Sequence, residues 1–238
     1  LQKAKGGTKS RQLTLAAALA AVYFVLRAIP TFQMVGTSSH FTTGDFLLTS
    51  IALVAGLWSG SLAIVVGTVA AYAVSPPVFF GLDFLPALAN VAIAGLLLSR
   101  RRKAAASVYL IVLLAFVVSP YSLLFGYGYV PYVWLHLAGL AVLVSPISAK
   151  IPIWVHERNY RGIVGIASLA FIGTMAQHLV GGLLYEFSLG FALGVNPQRF
   201  VDTWLVIFWL YPEERMILTV ISTIIAVGVF RSFERLGR

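Results

Sequence analysis

Residues 45–75 form one apolar run of 31 residues, with no charged side chain after Asp45. As a single helix it would be about 46 Å long, against roughly 30 Å of hydrocarbon in a bilayer. That is too long for one upright crossing and suits two short ones. Gly56-Leu57-Trp58-Ser59-Gly60 sits near its middle. The run therefore divides into helices over about 41–57 and 59–75, joined by a tight turn with Trp58 as an interfacial anchor. Composition fits a chain surrounded by lipid. Of the 238 residues, 59% are hydrophobic and only 11% charged, and mean hydropathy is +0.90. Globular chains carry about 25% charge, which is what a water-facing surface requires. The sequence reads as an all-α integral membrane protein forming a single transmembrane domain over 1–238.

Further apolar segments of crossing length cover 12–29, 83–99, 105–125, 132–153, 162–187 and about 204–230, the last interrupted by Pro212. With the divided run this makes eight crossings. Charge tests the count independently. Lys3, Lys5, Lys9 and Arg11 precede the first span, and Arg100, Arg101, Arg102 and Lys103 follow the fourth. Lys150, Arg158 and Arg161 flank the loop between the sixth and seventh, and Arg231, Arg235 and Arg238 close the chain. Eight crossings put all of these on one side, which the positive-inside rule makes cytoplasmic, together with both termini. The three remaining basic residues, Arg27, Arg199 and Arg215, fall outside or near the outer boundary. Keeping 45–75 as one helix would send Arg100–Lys103 to the outside. The expected location is the cell membrane, crossed many times. Arg27 and Pro30 are poor company for a cleavage site, so the first span reads as a retained helix rather than a signal peptide.

The formal net charge of +9 follows the membrane boundaries, so the bilayer is the expected partner and nucleic acid is not. The absence of cysteine removes disulfides, thiolate metal sites and cysteine nucleophiles. No nucleophile elbow, zinc-protease helix, phosphate-binding loop or metal-spaced carboxylate pair is present. Neither enzymatic activity nor a cofactor is expected.

Ionisable residues at membrane depth are costly and therefore point to function. His136, His178 and Glu186 lie in the outer halves of their spans. His178 and Glu186 are two helical turns apart and share a face. Asp83 opens the fourth span, and Asn90 lies two turns into it as an amide that needs a partner. Trp134 belongs to a set of aromatic residues near the outer boundary, where rings line ligand cavities as well as anchor helices. Asp83, Asn90, Trp134, His178 and Glu186 are the candidate ligand-binding residues. Glu213, Glu214 and Arg215 follow Pro212, as in the capped first turn of a helix. Ala16, Ala17, Ala20 and Ala21 form a small-residue strip that lets another helix come close. That helix is either internal or part of a separate membrane subunit.

The order of features resembles the substrate-binding S components of energy-coupling factor transporters, the vitamin-uptake family. Leu15-Ala16-Ala17-Ala18-Leu19-Ala20-Ala21-Val22-Tyr23 looks like the family's alanine-rich first helix. Gly44-Asp45 through Gly56-Leu57-Trp58-Ser59-Gly60 to Gly67 looks like its second and third helices, with Leu57 where the family often has proline. Asp83-Phe84-Leu85-Pro86 to Arg100-Arg101-Arg102, His178 to Tyr185, and Tyr211-Pro212-Glu213-Glu214-Arg215 to Arg231 look like its last three. The match covers 12–103 and 162–235, and residues 104–161 form an extra hairpin beyond the family's six helices.

The resemblance implies an outward-opening pocket for a small organic molecule, roofed by the loop 31–44. It also implies a transmembrane coupling subunit and two cytoplasmic ATPases as partners, with Ala16, Ala17, Ala20 and Ala21 at the docking face. The acidic excess on the outer side leans against a strongly anionic ligand. The alternative is a non-catalytic integral subunit whose small-residue strips pack within a larger membrane complex. An intramembrane enzyme built on His178 and Glu186 is a third reading.

Overall fold

The computed structural model describes residues 3–35 and 40–236, with side chains from Lys9 onward. The middle of the expected roof loop, 36–39, lies outside the described residues. Eight α-helices follow in order: α1 (Lys3–Arg27), α2 (Leu48–Ala71), α3 (Leu85–Leu98), α4 (Arg102–Val118), α5 (Trp134–Val144), α6 (Pro146–Trp154), α7 (Tyr160–Tyr185) and α8 (Pro197–Leu236). Strands β1 (Pro30–Gln33) and β2 (His40–Thr42) pair antiparallel after α1, and a 3-10 turn, Thr43–Leu47, leads into α2. The described residues are thus all-α apart from this small ribbon and an isolated bridge between Phe125 and Pro131. Tyr160–Ala192 and Pro197–Leu236 are each long and apolar enough to cross a membrane, and Thr43–Ala71 is so in total length although it bends on itself at Gly56. The bent pair α5 and α6 makes a fourth such stretch if taken as one span.

Helix α2 is two helices folded back on each other at Gly56. That residue has φ 68° and ψ −166°, a combination that only glycine adopts without strain. In a straight helix Ile51 and Gly60 would stand about 13.5 Å apart. Here a Cβ built on Gly60 would lie 3.5 Å from the Ile51 carbonyl oxygen. Tyr23 of α1 touches both arms, since Cβ atoms on Gly44 and Gly67 would meet its ring at 2.9 and 3.0 Å. The turn therefore falls where the length of the run and the charge pattern put it. Trp58, 80% exposed, stands at its tip.

Helix α3 runs back along the second arm. A Cβ on Gly95 would come within 2.6 Å of the Leu57 Cα, so α3 and the hairpin tip meet backbone to backbone. Leu236, at the end of α8, shares a groove with Leu15 of α1. The first half of α1 and the end of α8 thus lie toward the end of the bundle that carries the Gly56 tip. The same end is tied by polar contacts. Arg102 donates to the carbonyls of Leu143 and Val144 at the end of α5. Glu234 meets His156 at 2.8 Å and Arg231 at 3.1 Å. Burial opposes ionisation of Glu234, but these hydrogen bonds outweigh it and hold the carboxyl below its ordinary value.

Two expected spans differ in the structure. The segment 132–153 is broken at Ser145, where the path turns by 68°. Pro146 cannot extend α5 and instead opens α6, whose first turn is capped by Ser145 Oγ accepting from the Ile147 N–H at 3.2 Å. Conversely, Pro212 does not break the last span. It lies inside the 40-residue α8. No helix begins there, so Glu213, Glu214 and Arg215 are not a capped first turn.

The core is a single cluster with α7 at its centre. Leu169, Ile172 and Met175 of α7 are fully buried, and Val91 of α3, Tyr109 and Phe116 of α4, Leu143 of α5 and Phe208 of α8 belong to the same cluster. The segment 104–161 supplies part of this core and is not an appendage to it. Ala16 and Ala20 of α1 are buried, and a Cβ on Gly67 would come 2.8 Å from the Ala20 carbonyl oxygen. Those two alanines face the hairpin inside the chain, while Ala17 and Ala21 face outward.

Candidate functional site

At the end of the bundle opposite the Gly56 tip, the chain encloses a cavity of about 150 Å³. Its walls come from the end of α1, the β1–β2 ribbon, the turn before α3, the last two turns of α7 and the middle of α8. The positions on α8 follow from its sequence. Trp204, Phe208, Tyr211, Arg215 and Leu218 recur at spacings of three and four, and all five are buried. Such a stripe faces the core of a helical bundle. Arg215 occupies one position of an otherwise apolar and aromatic face.

A polar chain runs through the interior beside the cavity. Asn90 Nδ2 donates to Gln177 Oε1 at 3.0 Å. Gln177 Nε2 donates to Asp45 Oδ1 at 2.7 Å. Asp45 Oδ2 accepts from the Thr42 N–H at 3.0 Å, which fixes the end of the ribbon. Two buried hydrogen bonds and one part-buried one thus connect α3, α7 and the turn that follows β2. Beside Gln177 on α7, His178 Nδ1 and His136 Nε2 are 2.8 Å apart in a shared hydrogen bond. Tyr211 lies nearly parallel to both rings, at 4.9 and 5.3 Å, and its hydroxyl donates to the Tyr132 carbonyl at 2.7 Å. The histidine pair is therefore held in place by stacking and by hydrogen bonding at once.

Of the five expected ligand residues, Asp83 and His178 line the cavity. The Asp83 carboxylate is engaged on its own loop, accepting from the Val78 and Phe79 N–H groups at 2.8 and 3.1 Å. Asn90 sits behind the wall, connected to it through Gln177. Glu186 is buried on a π-helical turn, Glu186–Ala192, beyond α7 and does not line the cavity. Trp134 is 37% exposed at the start of α5 and is also outside the lining. Residues that sequence reasoning passed over complete the wall: Arg27, Phe41, Asp45, Gln177, Glu214 and Arg215. No group of three or more potential metal-ligating residues occurs among the described residues.

Comparison with known proteins adds one relative. A protein of Methanocaldococcus jannaschii described as uncharacterized is 26% identical over 234 residues, covering 94% of this chain and 74% of that one. No family model matches the chain, and no solved structure matches it.

Proposed function

We propose that this chain is a multi-pass membrane protein that captures a small solute from the outer face, as the binding subunit of a transporter of the energy-coupling factor type. The observation that carries the reading is the cavity itself. It lies at the end away from the basic clusters and is bordered by the ribbon that flanks the roof loop. The reversal at Gly56 supports the topology, since it returns Arg100–Lys103 to the side of the amino terminus. At about 150 Å³ the cavity is smaller than the roughly 300–1,000 Å³ of pockets for drug-sized ligands. A molecule of about one ring fits it as it stands, and a larger vitamin needs the ribbon to withdraw. The proposed partners, a coupling membrane subunit and two ATPases, supply the energy, and Ala17 and Ala21 remain on the outer face of α1 for docking.

Two measurements test this. Mass spectrometry of the purified chain should find a small molecule that is lost on denaturation, and pull-down from native membranes should recover an ATPase. Membrane subunits copurifying without ATPase or ligand would favour a packing subunit of a larger complex. The topology has its own expected result. Single cysteines in this cysteine-free chain should react with an impermeant reagent from outside at Asn196 and not at Ser99. Labelling at Ser99 alone would overturn the eight-crossing arrangement.

A further inference from the structure

Arg215 has no exposed surface, and its Nε, Nη1 and Nη2 all lack a hydrogen-bond partner. A guanidinium carries five N–H donors in a planar fork and stays charged under all ordinary conditions. A buried charge without acceptors is one of the costlier arrangements a fold can hold. The carboxylates nearby offset part of the charge, Glu214 as an ion pair, without filling the donors of the fork. Glu214 Oε2 is 3.6 Å from Nη2, beyond hydrogen-bond reach. Asp45 has one oxygen on Gln177 and the other on the Thr42 N–H. Asp83 has both oxygens on its own loop. Asp45 and Asp83 are therefore committed to structure, and the Arg215 donors stay unfilled beside the cavity, with Glu214 as the remaining carboxylate on its wall. Phe41 of β2 lies over the guanidinium, with its ring centre 4.6 Å from Cζ.

We propose that the cavity binds the carboxylate or phosphate group of a small soluble anion, which the Arg215 fork receives through its unfilled N–H donors while Phe41 supports the guanidinium. This rests on the solute-capture reading of the same cavity and names the chemical class of the solute. The fork geometry matches both groups, because each offers two oxygens in one plane. The β1–β2 ribbon and the loop before α3 form part of the wall, and soluble anions are the probes that this reading calls for. The Phe41 ring holds the guanidinium by a cation–π contact that leaves the in-plane donors available.

The test uses the full chain purified in detergent, with calorimetric titration at matched ionic strength. The probes are benzoate and inorganic phosphate, with benzyl alcohol and benzylamine as neutral and cationic ring controls. Benzoate or phosphate should bind, and Arg215→Gln should weaken that binding roughly 10- to 150-fold, the range for losing hydrogen bonds to a charged group. Arg215→Lys, which keeps the charge and loses the fork, should fall between. Phe41→Ala leaves Arg215 and its donors in place and should still bind the anion, so it gives a readout even if Arg215→Gln does not fold. Equal affinity in wild type and Arg215→Gln overturns the proposal, and so does loss of anion binding in Phe41→Ala. If the wild type takes benzyl alcohol or benzylamine and neither anion, the anionic class is wrong and solute capture stands. If no probe binds and no copurifying molecule is found, both readings fall.

Discussion

Asp45→Ala is expected to destabilise the fold by about 3–5 kcal/mol, the range for removing one partner from a buried charged network. The carboxylate accepts from Gln177 and from the Thr42 N–H. Its loss leaves one buried and one part-buried donor unpaired and takes a negative charge away from the Arg27 and Arg215 side of the cavity. Because Gln177 also holds Asn90, the loss reaches from the ribbon to α3. A domain of this size shifts its unfolding midpoint by about 2–4 °C per kcal/mol. The drop should therefore be on the order of 6–20 °C by thermal unfolding in detergent. Asp45→Asn retains one acceptor and should lose less. A fall no larger than that of Asp202→Ala, at an exposed position on α8, would show that the hydrogen-bonded chain carries no structural load.

Gly56→Ala and Gly95→Ala should each destabilise by about 1–3 kcal/mol, for different reasons. At Gly56 the cost is backbone strain, since φ 68° with ψ −166° is a glycine conformation. Nothing crowds the position. At Gly95 the backbone is ordinary and the cost is overpacking. The new methyl would meet the Leu57 backbone at 2.6 Å, and backbone cannot rotate out of the way. The two sites share Leu57, so the double variant should be non-additive by roughly 0.5 kcal/mol or more. Gly228→Ala, mid-helix with open space around it, should instead gain up to about 1 kcal/mol from helix propensity. If all three variants unfold at the same temperature, the hairpin tip is not where α2 and α3 lock together.

The fold was legible where a length conflicted with a physical dimension. The 45–75 run could not span a bilayer once, and the turn falls at the glycine that the conflict points to. The break at Ser145 was less visible, because the apolar run 132–153 has a suitable length for one span. The Ser-Pro pair that starts α6 was nonetheless present in the sequence. At the site, His178 and Asp83 were found because an isolated ionisable group in an apolar segment attracts notice. Arg215 was missed because Pro212, Glu213 and Glu214 beside it look like a surface cap. The signal that identifies it is the three-and-four spacing from Trp204 through Tyr211, which depends on reading one continuous helix through Pro212. Trp134 lies two residues from His136, yet the helix turns one outward and the other in. Depth alone could not separate them.

At 40 residues, α8 is about 60 Å long, well beyond the bilayer's hydrocarbon thickness of roughly 30 Å. It is a lever with a load at two points. Arg215 sits against the cavity, and Arg231, sixteen residues on, grips the Glu157 carbonyl and Glu234 at the opposite end of the bundle. Those points are about 24 Å apart along the axis. Pro212 lacks the N–H that would bond to the Phe208 carbonyl, leaving a pliable joint one turn above Arg215. A tilt of about five degrees at that joint moves the Arg231 end by about 2 Å over this length. That is enough to break its hydrogen bond to the α6–α7 loop, so a shift of Arg215 beside the cavity reaches the opposite end of the bundle along α8 itself.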